Sequence, residues 1–464
     1  MRVTAQNPVV TDVWFFQPRT LAKANYANSG GREQTWTPWW ACYLAPAATA
    51  AGLRTHLIDA RTDPAWQQQV ARLGPGDVLA VTTMTGAALR DALAASQMAR
   101  AAGSYVVWGG PHATLFPTQC LAESPANAVV PGFGHAGFAL LMRRLTGTAE
   151  PVTAGPAAAL GPRILTEGGD PVPLQASRTA RPASGALVAA DDPLPSLGLI
   201  RCWENYVNPD VAIADRTVNY VTSEGCLRRC TFCSEPQTSG HAWYVRPVTA
   251  AVDTIAEMVN LCGATGIKLH DPNFFHDLDR AGEFGRRLAQ TVGVPWAASL
   301  HPADLQAMTD EQLHAAAAAG LCRVLVGLET PVPELIKLSN KRYDPAGIPA
   351  MARRLTAAGI RGMFTFIVGW PGADPGHYQQ TIDCAFAIRD LDPRHQCKIH
   401  FLEPWPGTPI STLLQRHGYG PMPTTLAGWA DVDYYQAQIA GLHDPAYTQI
   451  VRDANRALSP YVDA

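Results

Sequence analysis

The sequence predicts an α/β protein in which a doubly wound parallel sheet is followed by a partial (β/α)6 barrel and a small C-terminal region. The 464 residues are about three times the roughly 150 residues typical of a single domain. Short β-rich runs alternate with helical stretches in two regions, as in parallel α/β sheets, and a Gly-, Pro- and Ser-rich segment without periodicity separates them. We therefore predict a first domain over 1–147, a linker over 148–215, a barrel over 216–409 and a C-terminal cap over 410–464.

The first region has the rhythm of a doubly wound sheet. Its helical stretch 87–103 places Leu89 and Leu93 at helical spacing and ends at Gly103, a residue that tolerates the left-handed conformation of a helix C-cap. Apolar, β-branched runs lie on both sides of this helix, so that β-α-β units repeat. The predicted strands are 13–16, 55–58, 78–81, 105–108 and 128–130.

The second region repeats the alternation often enough to curl into a partial barrel. Helical segments such as 252–261 and 311–319 separate the apolar runs. Six β-α units in succession predict a (β/α)6 arrangement of parallel strands. The predicted strands are 218–222, 267–270, 294–300, 324–327, 363–368 and 398–402.

Composition argues against a nucleic-acid or membrane protein. The net charge is -3, only 16% of the residues are charged, and the five lysines and scattered arginines form no basic run. The N-terminus has no apolar core of a signal peptide. The longest uncharged stretch, 34–53, is interrupted by Pro38 and Pro46, which a membrane-spanning helix would rarely carry. These features predict a cytoplasmic protein that acts on small molecules.

Three of the ten cysteines stand out by their spacing. Cys226, Cys230 and Cys233 form a C-x3-C-x2-C run after a predicted strand, whereas the other seven are scattered among apolar residues. Three thiolates on one loop can hold an iron–sulfur cluster and leave one iron for an external ligand. A zinc site with His241 as fourth ligand is the alternative.

The cysteine run, together with later motifs, resembles the radical S-adenosylmethionine (SAM) superfamily. The motifs are DPNF at 271–274, VGLET at 326–330, FIVGWPG at 366–372 and LEPWPGTP at 402–409, each after a predicted strand. The resemblance implies a 4Fe-4S cluster on the three cysteines and SAM on its open iron. It also implies the SAM-binding residues Phe232, Asp271, Asn273, Ser299, Glu329, Val368 and Leu402. A helix cap at Asp271 and a solvated strand end at Glu329 are the alternatives for those two residues.

The N-terminal region resembles the Rossmann-like cobalamin-binding domain of the B12-dependent branch of that superfamily. Small and hydroxyl residues after consecutive strands leave a ledge for a large planar ring. The chain lacks D-x-H-x-x-G, so the resemblance implies cobalamin without a histidine ligand in that motif, with His112 the remaining candidate. The implied cobalamin-binding residues are Trp40, Thr83, Thr85, Gly109, Gly110, His112 and Gly132.

Together the two resemblances imply a cobalamin-dependent radical SAM methyltransferase that moves a methyl group from methylcobalamin to an unactivated carbon by way of a 5′-deoxyadenosyl radical. No catalytic side chain beyond the cofactor ligands is implied. An electron donor such as flavodoxin or ferredoxin is implied as partner, and the substrate would be a small molecule such as a specialised metabolite. A non-methylating cyclisation or rearrangement on the same scaffold is the alternative, and a cofactor-binding regulatory module without turnover is a third hypothesis.

Overall fold

The structure is a computed structural model that describes residues 10–19, 35–148, 163–166, 172–173, 186–188, 193–420, 422–432 and 445–458. The described residues fall into two compact units. Unit 1 takes those within Met1–Leu21, Pro38–Cys202 and Pro423–Asp433. Unit 2 takes those within Ala22–Thr37, Trp203–Met422 and Tyr434–Ala464.

Unit 1 is built on a parallel sheet with the strand order β2-β1-β3-β4-β5. All five predicted strands are present, because their β-branched and aromatic residues fit a sheet that is buried on both faces. The order places a topological switch point between β1 and β3. The strands are β1 (Asp12–Gln17), β2 (Arg54–Asp59), β3 (Asp77–Thr82), β4 (Tyr105–Gly109) and β5 (Ala128–Val129). The helices are α1 (Trp39–Ala50), α2 (Trp66–Val70), α3 (Ala88–Ala101), α4 (Pro111–Leu115), α5 (Pro117–Glu123) and α6 (His135–Thr146).

The predicted linker contributes strands that its composition did not predict. Four short strands occur within 148–215, β6 (Arg163–Thr166), β7 (Val172–Pro173), β8 (Ala186–Val188) and β9 (Asn208–Asp210). Strand β6 pairs antiparallel with β5 and extends the sheet at its edge. Only tertiary pairing reveals this strand, because the segment around it is rich in Gly, Pro, Ser and Ala and shows no sustained periodicity. Most of the remaining linker lies outside the described residues.

Unit 2 is a curled sheet of six parallel strands in the order β17-β16-β15-β14-β13-β10, with the antiparallel strand β9 at one edge. This architecture confirms the predicted partial (β/α)6 barrel. The strands are β9 (Asn208–Asp210), β10 (Ala214–Tyr220), β11 (Ser223–Gly225), β12 (Trp243–Val245), β13 (Gly266–Leu269), β14 (Trp296–Leu300), β15 (Leu321–Glu329), β16 (Arg361–Val368) and β17 (Gln396–Phe401). The helices are α7 (Glu235–Thr238), α8 (Val248–Cys262), α9 (Leu278–Thr291), α10 (Pro302–Ala307), α11 (Asp310–Ala318), α12 (Pro333–Ser339), α13 (Ile348–Ala357), α14 (Pro375–Leu391) and α15 (Pro409–Arg416).

The two faces of the barrel sheet differ in composition. Along β16, buried and half-buried residues alternate, as expected when one face packs against helices and the other faces the interior of the barrel. Phe364 and Phe366 are fully buried under the helical layer. The half-buried side chains of the other face include Met363 and Thr365. The interior of the barrel is therefore lined by a set of residues separate from the apolar core.

The described part of the C-terminal region, predicted as one cap, is divided between the two units. Helix α16 (Leu426–Ala430) belongs to unit 1, where the Leu426 amide donates to Glu123 Oε2 at 2.6 Å. Helix α17 (Pro445–Leu458) belongs to unit 2, where Asn455 Nδ2 donates to the Ile399 carbonyl at 2.8 Å. Neither attachment follows from periodicity, because both depend on contacts with distant parts of the chain. Among the described helices, none has the length and apolar character needed to cross a bilayer.

Candidate functional site

The loop 226–233 of unit 2 carries the three clustered cysteines. It follows β11, which pairs antiparallel with β12, and precedes α7. The Thr231 amide donates to the Ser339 carbonyl at 3.0 Å, and the Thr231 hydroxyl donates to the Leu338 carbonyl at 2.8 Å. The Thr231 carbonyl accepts from the Ile410 amide at 3.0 Å. The end of α12 and the start of α15 therefore hold the loop in place.

The three thiols lie where the protein interior meets the surface. Cys230 is buried, whereas Cys226 and Cys233 are half-buried. Burial raises the pKa of Cys226 to about 11 and that of Cys233 to about 12. Burial also raises the pKa of Cys230, and the positive charge of Lys341 acts against this increase. Ionisation of these thiols is therefore coupled to ligation, because a coordinating metal deprotonates its thiol ligand.

The donor set suits a cluster better than a single ion. In the part of the chain that the structure describes, no three His, Cys, Asp or Glu side chains surround a position for one metal ion. The zinc alternative with His241 therefore has no support there. A cluster takes its thiolate ligands on different irons, so that three thiols on one loop fit it without converging on one point.

A buried ion pair stands beside the cysteine loop. Lys341 Nζ lies 2.9 Å from Glu329 Oε1 and 5.6 Å from the centre of the Phe232 ring. Burial by itself lowers the pKa of Lys341, but negative charge on Glu329, Cys230 and Cys233 outweighs burial and raises it. Lys341 is therefore a permanent cation beside the cysteines. With a side chain that is only 9% exposed, Glu329 is not the solvated strand end that was the alternative.

The backbone of Glu329 is strained. Its φ of +67° lies in the left-handed region, which residues other than glycine rarely adopt. The register between β15 and β16 also shifts between Gly327 and Glu329. Such strain costs about 1–3 kcal/mol and persists only where the surrounding structure imposes it. Here it accompanies the ion pair with Lys341 at the carboxyl end of the strand.

Asp271 ties together the ends of two neighbouring strands. Its carboxylate accepts from the Thr222 amide at 2.7 Å, from the Thr222 hydroxyl at 2.5 Å and from the Ser223 hydroxyl at 2.6 Å. It is 1% exposed, and burial raises its pKa although Arg280 and these hydrogen bonds act in the opposite direction. The helix cap offered as the alternative is wrong, because Asp277 caps α9 through the Arg280 amide. These contacts of Asp271 fix the backbone from which the cysteine loop departs.

Asn273 belongs to a polar network that reaches the first cysteine. Its Nδ2 donates to Asp304 Oδ2 at 2.7 Å and lies 3.1 Å from His276 Nδ1. His276 Nε2 lies 3.3 Å from Cys226 Sγ, and Arg228 forms an ion pair with Asp304. Burial, followed by the charge of Arg228, lowers the pKa of His276 to about 4, so that this imidazole is neutral near pH 7.

The sequence did not single out His276, Asp304, Arg228 or Lys341, although all four lie in this network or in the adjacent ion pair. His276 follows Asn273 by three residues, which is the one local signal available. The others come from distant segments. The structure thus adds four polar residues to the candidate site.

An apolar cluster adjoins the cysteine loop. Val368 ends β16 and Leu402 directly follows the neighbouring strand β17, and the Leu402 amide donates to the Val368 carbonyl at 2.8 Å. The Phe232 ring packs edge to face on Trp370 with centres 5.5 Å apart. Ser299 lies on β14 in register with Leu325, on the inner face of the barrel. Phe232 and Leu402 thus meet in one cluster, whereas Ser299 occupies a separate position within the barrel.

In unit 1, the ends of β3 and β4 form a ledge without room for side chains. Gly110 has a φ of +88°, and a Cβ there would lie 2.6 Å from Thr82 Oγ1 and 2.8 Å from the Thr83 amide nitrogen. Thr83 Oγ1 donates to the Gly109 carbonyl at 2.8 Å and accepts from the Ala113 amide at 3.0 Å. The ledge lies beside the switch point of the sheet, where parallel α/β folds bind ligands. A flat ring suits such a surface.

The ring of His112 is enclosed. It is fully buried, its Nδ1 lies 2.9 Å from Thr85 Oγ1, and the ring centres of Phe116 and Trp429 are 5.1 and 6.1 Å away. Burial lowers the pKa of His112 to about 4. Its Nε2 has no hydrogen-bond partner in the structure as described. A ring this enclosed offers no nitrogen to a ligand on the ledge unless it moves.

The remaining predicted residues of unit 1 also lie beyond strand ends. Trp40 Nε1 donates at 2.8 Å to Oε1 of Gln17, the last residue of β1. Gly132 follows β5, is exposed, and has a φ of +79°. Its amide donates to Thr114 Oγ1 at 2.9 Å. Both residues thus lie at the carboxyl edge of the sheet.

Gly110→Ala is expected to destabilise unit 1 by roughly 2–5 kcal/mol, because about 1–2 kcal/mol of left-handed strain adds to about 1–3 kcal/mol of steric overlap. Gly132→Ala is the matched control: its φ is also positive, but a Cβ there meets nothing within 4 Å. It should cost only about 1–2 kcal/mol. Urea unfolding of both variants measures the difference, and equal losses would contradict the steric argument.

Two family models match the chain. The B12 binding domain matches residues 29–141, and the radical SAM superfamily matches residues 220–385. The first match falls mainly on unit 1 and the second lies within unit 2. Both domains are therefore present, in the order that the sequence predicts.

Curated relatives share part of this region. A cytidylyl-2-hydroxyethylphosphonate methyltransferase from Streptomyces wedmorensis is 26% identical over 57% of this chain and 52% of its own length. An uncharacterized methyltransferase from Pyrococcus horikoshii is 24% identical over 72% of this chain and 68% of its own length. The match thus spans about half of one relative and two thirds of the other.

Solved structures share the fold. The radical SAM methyltransferase TsrM from Kitasatospora setae, with cobalamin and a [4Fe-4S] cluster bound, gives a TM-score of 0.65 at 16% identity, over 94% of this chain and 90% of its own. The cobalamin-dependent radical SAM enzyme OxsB gives 0.65 at 15% identity, over 89% of this chain and 62% of its own. At these identities the likeness shows the fold alone.

Proposed function

Because this chain carries a B12-binding domain followed by a radical SAM domain, we propose that it is a cobalamin-dependent radical SAM methyltransferase. The proposed reaction transfers a methyl group to an unactivated carbon of a small-molecule substrate. The observation that carries this proposal is the C-x3-C-x2-C loop, whose three thiols leave one iron of a cluster open. Methyltransferase is also the activity named for both curated relatives.

In this proposal the residues of unit 2 hold and orient the cofactors. When bound, the 4Fe-4S cluster and SAM supply radical chemistry, and cobalamin supplies the methyl group. Cys226, Cys230 and Cys233 ligate the cluster, and Lys341 places a positive charge beside it. Glu329, oriented by Lys341, and Asn273 offer polar groups to the amino acid part of SAM. Phe232, Val368 and Leu402 supply an apolar surface and backbone groups for adenine. Asp271 holds the backbone at the start of the cysteine loop in position, and Ser299 faces the interior of the barrel.

Unit 1 is proposed to hold cobalamin on its ledge. Gly109, Gly110 and Gly132 place no side chains at the strand ends, and Trp40, Thr83 and Thr85 lie beyond the ends of strands of the same sheet. Because its ring is enclosed, His112 would not serve as a ligand of the cobalt. The protein as purified with hydroxocobalamin is therefore expected to keep a corrin spectrum after desalting that lacks a histidine-ligated signature. A colourless protein would contradict the assignment of unit 1.

A radical SAM domain requires a substrate and a reductant. We propose a specialised metabolite as the substrate, flavodoxin or ferredoxin as the electron donor, and the cytoplasm as the site of action. Low charge and the lack of a basic run support a small-molecule substrate rather than nucleic acid. A one-electron carrier suits a cluster that is reduced one electron at a time.

Labelled SAM separates methyl transfer from rearrangement. The reconstituted enzyme, given SAM with a deuterated methyl group, a reductant and extracts of metabolites, is expected to yield a product heavier by the labelled methyl group. A product that forms without the label would support the non-methylating alternative, which neither curated relative favours. A variant of Cys233 is the negative control, because it lacks one ligand of the cluster but keeps the ledge of unit 1 that is proposed to hold cobalamin.

A further inference from the structure

The inner face of the barrel in unit 2 has a cationic floor. Arg323 Nη1 on β15 lies 3.2 Å from Asp210 Oδ1 on β9, although β14, β13 and β10 lie between these strands in the sheet. The two side chains therefore meet across the concave side of the curled sheet. Lys268 on β13 reaches the same carboxylate, with its Nζ 3.9 Å from Asp210 Oδ2. Two cations thus share one carboxylate on this floor.

Lys268 has unused hydrogen-bonding capacity. Its described contacts are the ion pair with Asp210 and a cation–π contact, in which Nζ lies 4.8 Å from the centre of the Trp36 ring. Within the described residues, its three N–H donors form no hydrogen bond of ordinary length. The side chain is 25% exposed although its strand is central in the sheet. An ammonium so placed is available to an acceptor that enters the barrel.

Among the described residues, the space over this part of the inner face is open. Leu325 lies two residues after Arg323 on β15 and therefore on the same face. Leu325 is 37% exposed although β15 is paired with β14 on one side and with β16 on the other. The Trp36 ring that contacts Lys268 also packs on His270, with ring centres 4.6 Å apart. The floor thus combines a cation with unused hydrogen-bond donors, an aromatic ring and an exposed apolar side chain.

We propose that this floor, which we call the Lys268 site, binds an anionic group of the substrate, a carboxylate or a phosphate, attached to an apolar or aromatic body. The inference rests on the function proposed above and names the substrate class. Burial, and next the charge of Arg323, lower the pKa of Lys268 to about 8, so that most of this side chain is charged near pH 7. The single negative charge of Asp210 neutralises one of the two cations, Arg323 and Lys268. An incoming anion balances the positive charge that remains. Trp36 and Leu325 then contact the body of the substrate.

Matched probes test the site without requiring turnover. Isothermal titration of the cofactor-loaded protein uses 3-phenylpropionate against 3-phenylpropionamide, and phenyl phosphate against phenol, with inorganic phosphate to separate a phosphate site from a carboxylate site. At least one acid is expected to bind with a Kd about tenfold or more below that of its neutral partner. If no acid binds up to about 10 mM, or if neutral partners bind as tightly, the proposal is wrong.

Variants assign the preference to Lys268. Lys268→Met should reduce the ratio of acid to neutral affinity to near one, whereas Lys268→Arg should keep it. Arg353→Met removes a charge from the outer helix α13, where the side chain is exposed, and should leave the ratio unchanged. Leu325→Trp fills the open face and should abolish binding of both acids independently of Lys268. Acid binding that survives Lys268→Met or Leu325→Trp would place the site elsewhere.

The outcomes separate this inference from the proposed function. If the acids bind more tightly than their neutral partners through Lys268 but no labelled methyl group is transferred, the methyltransferase function is refuted and the anion site stands. Transfer of labelled methyl to a neutral acceptor, together with no acid preference, would refute the Lys268 site alone.

Discussion

Cys230→Ala is expected to abolish the iron–sulfur absorption band of the anaerobically reconstituted protein and with it all SAM-dependent turnover. The loop offers three thiols, and the other seven cysteines are spread over both units, so that no thiol of the loop remains to replace the lost ligand. Iron content and the absorption spectrum measure the effect. The loss is expected to be complete rather than partial, because the three thiols would already leave one iron of the cluster without a protein ligand.

Cys202→Ala is the matched control for this substitution. Cys202 is also a free thiol, and it is exposed and distant in sequence from the loop. Its variant should keep the band and the iron content of the unmodified protein. A band that survives in Cys230→Ala, or zinc in place of iron in the unmodified protein, would refute the cluster assignment.

Lys341→Met is expected to lower the free energy of unfolding by about 3–5 kcal/mol in the protein without its cofactors. The substitution leaves the Glu329 carboxylate buried without its partner, and breaking a buried ion pair from one side has a cost of about this size. Both side chains of the pair are only 9% exposed, and Glu329 is held in left-handed backbone. Urea unfolding followed by circular dichroism measures the loss.

Two further variants separate charge burial from a simple loss of packing. Glu329→Gln combined with Lys341→Met removes both charges and should recover most of the stability. Arg287→Met breaks an exposed pair, in which the side chains of Arg287 and Glu283 are 48% and 44% exposed. It should cost no more than about 0.5 kcal/mol. If Lys341→Met cost as little as Arg287→Met, the buried pair would not contribute to the site as argued.

The fold class could be predicted because its determinants are local. Alternating β-rich and helical runs locate strands β1 to β5 and the six parallel strands of the barrel. Hydrophobic periodicity depends only on which face of each segment is buried. Strand β6 was missed because it lies in a segment without periodicity and gains its stability from pairing with β5, a contact that no local pattern records. The division of the C-terminal region between the units was missed for the same reason.

By itself, the sequence determined the order of the two domains, the parallel strands of their sheets and the three cysteines that mark the candidate cluster, because each of these depends on neighbours within one short segment. Only the tertiary structure brought Lys341 to Glu329 and His276 to Cys226. It also placed Trp36 beside Lys268 and enclosed His112 under Trp429. Burial and electrostatic coupling act between residues that are distant in the chain, so that charge, pKa and access to a site become defined only when the sheets close.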